Sequence, residues 1–403
     1  MITRRFLLQS AAAVAAYSAH SARPARAENA PGVTATEIKI GQTIPYSGPA
    51  SAYGVIGRTE AAYFKMINDQ GGVNGRKINF ISLDDGYSPP KTVEQVRRLV
   101  EQEHVAFLAN TLGTPPNAAI RQYLNDNKVP QLFVLSGAPM FADPQHYPWT
   151  IGYIPSYVTE ARIYARRILA TKPDAKIALL YQNDDFGKGY VNGLRDVLGS
   201  DRPNMIVKTA SYEVSEPTID SQVVTLQGSG ADVFLIAATP KFAAQAIRKS
   251  YDIAWDATRY LSYVSSSIAT VLKPAGLDKS KGLITAAFAI DVTDPRLKDD
   301  PDVLTWKAFI DKYMSPTEFA DGNAVVAFGY AATVVQVLKQ CGDDLSRENI
   351  MRQAANLRNF RPALLFPGVT VNTSPTNYSP IRQLQLMTFN GEHWEPMGDV
   401  LSD

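Results

Sequence analysis

The side chains that most often carry catalysis or bind metal are few in this sequence, and they lie far apart. After the first 27 residues, the histidines are His104, His146 and His393, and the only cysteine is Cys341. The sequence has no H-E-x-x-H spacing and no G-x-S-x-G motif, so it lacks the signatures of a zinc protease and of a hydrolase nucleophile. A single cysteine cannot form an internal disulfide. We expect no catalytic residue, no metal ion and no cofactor.

Two acid pairs, Asp84-Asp85 and Asp184-Asp185, each follow a predicted strand and precede a predicted helix. Carboxylates at such places commonly cap free N–H groups, which is the structural alternative to a role in binding. The glycines at 187, 189 and 193 are one residue away from the dinucleotide-binding spacing, and the sequence has no P-loop. We therefore do not expect a nucleotide site.

Four stretches of small residues are better candidates for a binding site. Each follows a predicted strand: SGPASAYG (47–54), TLGTPPNAA (111–119), LSGAPM (135–140) and DDFGKG (184–189). Open α/β sheets bind ligands at the carboxyl ends of their strands, where helix N-termini present unpaired N–H groups that suit a carboxylate. Any one stretch could be an ordinary turn, but four at corresponding edges predict a ligand cleft.

The segments that would position these loops alternate between β-rich and helical patterns from Glu37 to about Gly282. This order predicts an α/β fold with parallel sheets covered by helices, and 403 residues are enough for two such sheets. Helical patterns follow near 302–314 and 323–340, and a third lies in SRENIMRQAANL. The last segment alternates around Asn390-Gly391, which predicts a hairpin at the antiparallel edge of a sheet.

Residues 1–27 have the pattern of an export signal. Arg4 and Arg5 precede a short apolar stretch and the cleavage pattern Ala25-Arg26-Ala27, and TRRFLL is similar to the twin-arginine signal. Removing this segment leaves 36 basic and 39 acidic residues, a net charge of −3. A mildly acidic chain without basic runs or a later apolar run of membrane-spanning length is a poor candidate for nucleic acid or membrane insertion. We expect a periplasmic protein.

One part of the sequence resembles a known family. YSGPASAYG followed by INDQGGVNGRKI is similar to the S-G-P-x-A-x-x-G, helix, I-N-x-x-G-G-[IV]-x-G pattern of periplasmic leucine/isoleucine/valine-type receptors for ATP-driven importers. The likeness continues through DDGYSPPKTVEQVRRLV, KIALLYQNDDFGKGY and QCGDDLSRENIMRQAANL, and it covers nearly all of the chain after the signal. It implies the two-lobed type I fold of periplasmic binding proteins, with three hinge crossovers and ligand held between closing lobes. The implied division is 34–154 and 283–362 in the first lobe, and 155–282 and 363–403 in the second.

The resemblance also places the family's cleft residues on ten positions of this sequence. In the first lobe, the family's loop tyrosine falls on Tyr53 and its cleft tyrosine on Tyr330. The hydroxyl that meets the ligand carboxylate falls on Thr111, within one or two positions, in the loop that also contains Gly113 and Thr114. The loop whose N–H groups hold the other carboxylate oxygen is Ser136, Gly137 and Ala138. In the second lobe they are an aromatic ring (Phe186) and the position of Ser265. Core packing is the structural alternative for Tyr330 and Phe186.

Two departures from the family pattern bear on the ligand. Pro139 stands where amino-acid receptors usually carry Thr, and Ser265 stands about where they place the acid that pairs with the ligand's ammonium. Burying an ammonium without a carboxylate partner costs on the order of several kcal/mol. The cleft is therefore expected to suit an organic carboxylate with an aromatic or hydrophobic body, delivered to an ABC permease of the inner membrane.

Other functions stay open at this stage. A receptor for branched-chain amino acids or amides would need an acid from elsewhere, such as Asp184 or Asp185, to reach the ammonium. A ligand-sensing domain on the same fold usually carries a transmembrane segment, and an enzyme would need catalytic motifs. The sequence pattern favours neither the sensing domain nor the enzyme.

Overall fold

The computed structural model describes residues 30–402, and the predicted export signal lies outside them. The first sheet has five strands, all paired in parallel, in the order β2-β1-β3-β4-β5. They are β1 (Glu37–Ile44), β2 (Lys77–Asp84), β3 (Phe107–Ala109), β4 (Gln131–Val134) and β5 (Thr150–Gly152). Because the strands are parallel, the loops that follow β1, β3 and β4 meet at one edge of the sheet.

The second sheet has seven strands in the order β12-β11-β10-β9-β8-β6-β7. They are β6 (Ile177–Gln182), β7 (Ile206–Tyr212), β8 (Val233–Ala237), β9 (Thr258–Leu261), β10 (Ile284–Ala287), β11 (Gln383–Phe389) and β12 (Trp394–Ser402). Strands β6 to β10 are parallel, whereas β11 and β12 form an antiparallel hairpin at the edge. Every residue of β8 is buried, as expected for a central parallel strand covered on both faces.

Helices cover both sheets. They are α1 (Gly54–Asp69), α2 (Pro89–Arg97), α3 (Thr114–Asp126), α4 (Tyr157–Thr171), α5 (Asp185–Leu198), α6 (Asp220–Gln227), α7 (Pro240–Asp252), the short α8 (Lys273–Ala275) and α9 (Leu277–Ser280), and then α10 (Pro301–Tyr313), α11 (Gly322–Cys341) and α12 (Arg347–Ala354). The last three return to the first sheet, since α11 packs against α1 and the Arg347 Nε donates to the Ala106 carbonyl at 3.0 Å. These elements form two lobes.

The chain passes between the lobes after β5, after β10 and before β11. The division at 283 that the resemblance implies falls just ahead of β10, whose hydrogen bonds belong to the second sheet. The hairpin begins only at Gln383, because the preceding segment still lies against the first lobe, where the Tyr378 hydroxyl donates to the Pro148 carbonyl at 3.1 Å.

Helix α11 is long and apolar enough to cross a membrane, although the sequence pattern predicts no run of that length. In this structure, 72% of its apolar window is buried inside the protein. Its buried side chains lie all around the helix, including Val325, Ala331 and Val337. A helix that is apolar on every side fits the centre of a lobe, between a sheet and neighbouring helices.

Candidate functional site

A cavity of about 130 Å³ lies between the two lobes. Its walls come from loops at the carboxyl ends of the strands, from the first turns of α11 and from the hairpin strands β11 and β12. Most of the lining side chains are apolar or aromatic. Within residues 30–402, no Lys, Arg or His lines the cavity, and Asp291 is the only carboxylate that does.

Hydrogen bonds between the lobes close the cavity. The Tyr53 hydroxyl of the first lobe donates to the Val264 carbonyl of the second at 3.1 Å. The Ser267 hydroxyl of the second lobe donates to a carboxylate oxygen of Asp321 at 2.9 Å, immediately before α11. Because these bonds join opposite walls, separating the lobes would break them.

Four of the ten predicted site residues line this cavity: Tyr53, Gly113, Phe186 and Tyr330. Tyr53 ends a 3-10 turn that runs into α1, and Phe186 lies in the first turn of α5. Tyr330 lies on α11 with its ring centroid 5.1 Å from that of Tyr153. The structure therefore brings together aromatic residues from both lobes around one space.

Thr111 and Thr114 lie behind the wall of the cavity. The Thr111 hydroxyl is fully buried and donates to Asn117 Oδ1 at 2.5 Å, while the Thr114 and Ser136 hydroxyls share a hydrogen bond of 2.7 Å. The backbone N–H of Gly113, which does line the cavity, donates to the Leu135 carbonyl at 3.2 Å. In this structure, these groups hold the two loops together.

The loop Ser136–Gly137–Ala138 borders a smaller pocket near the hinge, outside the main cavity. The ring of Tyr157 lies against this loop, since a Cβ at Gly137 would come within 2.9 Å of it. Burial raises the pKa of Tyr157 to about 12, while the nearby polar groups of Gly137, Ser136 and Thr114 lower it. Tyr157 thus packs against the loop whose N–H groups the resemblance assigns to a ligand carboxylate oxygen. We call the group formed by the Thr114 hydroxyl, the Ser136 hydroxyl and the Gly137 N–H the oxygen cradle.

Ser265 is buried outside the cavity, where its hydroxyl donates to the Ala238 carbonyl at 2.6 Å. Its neighbours Val264 and Ser266 do line the cavity. Of the two acids considered for an amino-acid ligand, Asp184 caps α5 by accepting the N–H groups of Phe186 and Gly187, and Asp185 is exposed. Neither acid lines the cavity.

The family model described as "Periplasmic binding protein" matches residues 37–393 of this chain. The chain belongs to the periplasmic binding protein family. Similar sequences include a Leu/Ile/Val-binding protein homolog of Brucella abortus, which is 26% identical over 328 residues covering 77% of this chain and 81% of that protein. An amino acid binding protein of Pseudomonas aeruginosa is 24% identical over 334 residues, covering 76% and 79%.

Solved structures share the fold of this periplasmic binding protein. A branched-chain amino acid ABC transporter protein from Thermus thermophilus with bound valine has a TM-score of 0.81 and 17% identity, covering 92% of this chain and 98% of that one. A fatty acid ABC transporter substrate-binding protein from Thermomonospora curvata has a TM-score of 0.77 and 20% identity, covering 94% and 95%. The protein is thus a periplasmic solute-binding protein of the kind that serves ABC transporters. The members of this family are receptors.

Several residues of the cavity wall were missed in the sequence, including Tyr87, which lies in the left-handed region with a φ of 61°. The Asp85 carboxylate accepts the Tyr87 N–H at 2.9 Å and so fixes this turn. Burial would raise the pKa of Asp84, but hydrogen bonds from Lys91, Ser47 and Gly86 outweigh it and hold that pKa below its usual range. The first acid pair therefore shapes loops, and the helix-capping prediction holds only for Asp184.

Glu160, at the start of α4, is a second residue that the sequence pattern did not single out. Its carboxyl is fully buried and accepts hydrogen bonds from the Tyr164 hydroxyl at 2.6 Å, from the Tyr190 hydroxyl and from the Tyr263 N–H at 2.8 Å. Burial raises the pKa of Glu160 to about 8, although these hydrogen bonds lower it. The carboxyl thereby fixes the turn Tyr263–Ser265, two residues of which line the cavity.

Proposed function

We propose that this periplasmic binding protein captures a small organic carboxylate with an aromatic or hydrophobic body and delivers it to an ABC permease of the inner membrane. The observation that carries the proposal is the composition of the cavity, which is lined mainly by apolar and aromatic side chains. Its volume of about 130 Å³ is close to that of an apolar cavity of about 150 Å³ that admits benzene in another protein. A ring or a short branched chain suits such a space.

The residues carried over from the family take distinct roles in this proposal. Tyr53, Phe186 and Tyr330 pack against the body of the ligand, beside the Gly113 backbone. The oxygen cradle of Thr114, Ser136 and Gly137, next to Ala138, receives a carboxylate oxygen when the Tyr157 phenol moves away. Thr111 holds the cradle from behind, and Ser265 leaves the cleft without the acid that an α-ammonium would need.

Export through the twin-arginine route, with removal of residues 1–27, is part of the same proposal. The two arginines and the Ala25-Arg26-Ala27 pattern support it. The two lobes act as hinged halves that close on the ligand and exclude water, which strengthens the few polar contacts.

A receptor for branched-chain amino acids or amides is the second candidate. It is favoured by the similarity to the Leu/Ile/Val-binding homologs and to the Thermus thermophilus structure with bound valine. It is disfavoured because Asp184 and Asp185 lie outside the cavity and because Asp291, the carboxylate in the wall, lies beside the hairpin rather than beside the oxygen cradle. The similarity to the fatty acid ABC transporter substrate-binding protein of Thermomonospora curvata supports the first candidate.

Native mass spectrometry of freshly purified protein tests the proposal, because a closed cleft can retain its ligand. We expect a small carboxylic acid that is released chemically unchanged on unfolding. Phe186→Ala should retain less of it, whereas Phe234→Ala, a buried ring on β8 outside the cavity, should retain it if folded. Recovery of leucine, isoleucine or valine would favour the second candidate, and a chemically altered product would contradict a receptor function.

A further inference from the structure

The two ends of the cavity differ in polarity. The loop end is formed by Tyr87, Gly113, Tyr157, Phe186 and Thr239. The hairpin end is formed by Ser266, Ser267, Asp291, Asn323 and Trp394. Between them, the ring of Tyr263 lies 6.2 Å from that of Tyr157 and 5.8 Å from that of Phe288, measured between centroids. A ligand that fills the cavity therefore meets rings along its body and different polar groups at its two ends.

Hydrogen bonds link the groups of the hairpin end in two sets. The backbone N–H of Trp394 donates to Asp291 Oδ2 at 2.8 Å, and its indole N–H donates to the Ser266 carbonyl at 2.9 Å. The Ser267 hydroxyl and the Asn323 N–H both donate to Asp321 Oδ1, at 2.9 and 3.0 Å. The hairpin end thus has one carboxylate in its wall and a second directly behind it.

Asp291 retains capacity to accept a hydrogen bond from a ligand. Its Oδ1 accepts the N–H and the hydroxyl of Thr293 at 2.9 and 2.7 Å, and its Oδ2 accepts the Trp394 N–H. A carboxylate has about four acceptor positions, of which these donors fill three. Among residues 30–402, no Lys, Arg or His lines the cavity beside Asp291.

We propose that the hairpin end is a subsite for a hydrogen-bond donor, and that the ligand is a carboxylate carrying a hydroxyl or ammonium group at its opposite end. This inference rests on the function proposed above. A ligand carboxylate placed beside the half-buried Asp291 would face a like charge, which is unfavourable. The carboxylate therefore points to the loop end, and Asp291 selects for a donor about one ring away.

Calorimetric titration of the purified mature protein with two matched acids tests the subsite. The probes are 3-phenylpropionate and 3-(4-hydroxyphenyl)propionate, which differ only in a donor at the far end of the ring. We expect the hydroxylated acid to bind about ten-fold tighter or more, the usual effect of a hydrogen bond to a charged group. Asp291→Asn should reduce this ratio to about two-fold or less.

Asp299→Asn is the matched control. It makes the same charge change in the same segment between β10 and α10, but its side chain is 85% exposed and lies outside the cavity. It should keep the ratio of the parent protein. Equal affinity of the parent protein for both acids would overturn the subsite, whether or not Asp291→Asn folds. Preservation of the ratio in folded Asp291→Asn would also overturn it.

A third probe, tyramine, separates failure of the subsite from failure of the proposed function. Tyramine has the hydroxyl and the ring but replaces the carboxylate with an ammonium group. Binding of both acids with no effect of the hydroxyl would remove the subsite and leave the carboxylate receptor intact. Binding of tyramine alone would contradict the carboxylate receptor, and with it the inferred orientation of the ligand.

Discussion

The hydroxyl of Tyr53 and the backbone carbonyl of Val264 form a hydrogen bond of 3.1 Å across the cleft. Tyr53 belongs to the loop that follows β1 in the first lobe, and Val264 belongs to the turn that follows β9 in the second. The same turn is fixed from behind by Glu160, which accepts the N–H of Tyr263. Closure of the two lobes therefore depends on a contact whose second-lobe partner is held by a buried carboxyl.

Removing the Tyr53 hydroxyl should weaken ligand binding. Tyr53→Phe keeps the ring in the cavity wall but deletes the hydrogen bond to Val264, which exists only when the lobes are closed. A hydrogen bond contributes about 1 kcal/mol, so we expect an affinity roughly five-fold lower by calorimetry. Tyr46→Phe is the control, because the Tyr46 hydroxyl pairs with Ser82 within the first lobe, and it should leave the affinity unchanged. An equal loss in both variants would contradict a role of Tyr53 in closure.

A methyl group at Gly137 should disturb the oxygen cradle. A Cβ built there would lie 2.3 Å from the Pro155 carbonyl oxygen and 2.9 Å from the Tyr157 ring. Overpacking of this kind costs about 1–3 kcal/mol, so Gly137→Ala should lower the melting temperature and weaken ligand binding. Gly228→Ala has no contact closer than 3.5 Å and serves as the control in the same thermal scan. Unchanged stability and affinity in Gly137→Ala would contradict the close packing of Gly137 against Pro155 and Tyr157.

Glu160 should make stability depend on pH. Its pKa rises from 4.5 to about 8 on folding, so the folded protein keeps a proton that the unfolded chain has lost between these values. The free energy of unfolding should then fall as the pH rises from about 4.5 to 8, by an amount on the order of a few kcal/mol. Glu160→Gln removes the ionisable group and should flatten this decline in denaturant titrations at several pH values.

Other buried acids, including Asp184 and Asp321, also have raised pKa values and contribute in the same direction. The informative quantity is therefore the difference between parent and variant across the pH range. Exposed Glu392→Gln makes the same chemical change and should leave the decline intact. A Glu160→Gln protein whose stability follows the parent at every pH would contradict the buried environment of this carboxyl.

The architecture was accessible from the sequence because its signals are local. Alternation of strands and helices predicts parallel sheets, and the turn at Asn390-Gly391 predicts the edge hairpin. The bounds of α11 were predicted closely, but its membrane-spanning apolar length was missed because Gly329, Thr333 and Gln336 interrupt the apolar run. Their side chains matter less once the helix is enclosed by a lobe.

The site was only partly accessible, for physical reasons that involve distant residues. Tyr53 and Phe186 could be placed by the resemblance to the family, which matches them to loops of small residues that follow strands. The position of Tyr157 over Gly137 depends on the chain crossing between lobes, and no motif marks it. Asp291 becomes distinctive only when the cavity shows that it is the sole carboxylate in the wall of the described protein.

The central claim is that the cleft binds a carboxylate with an apolar body and lacks a site for an α-ammonium group. Calorimetric titration of ligand-free protein with 3-phenylpropionate and with L-leucine, at neutral pH in the same buffer, tests it most directly. The account predicts saturable binding of the phenyl acid and little or no heat from leucine. Tight binding of leucine, with no response to the phenyl acid, would contradict it.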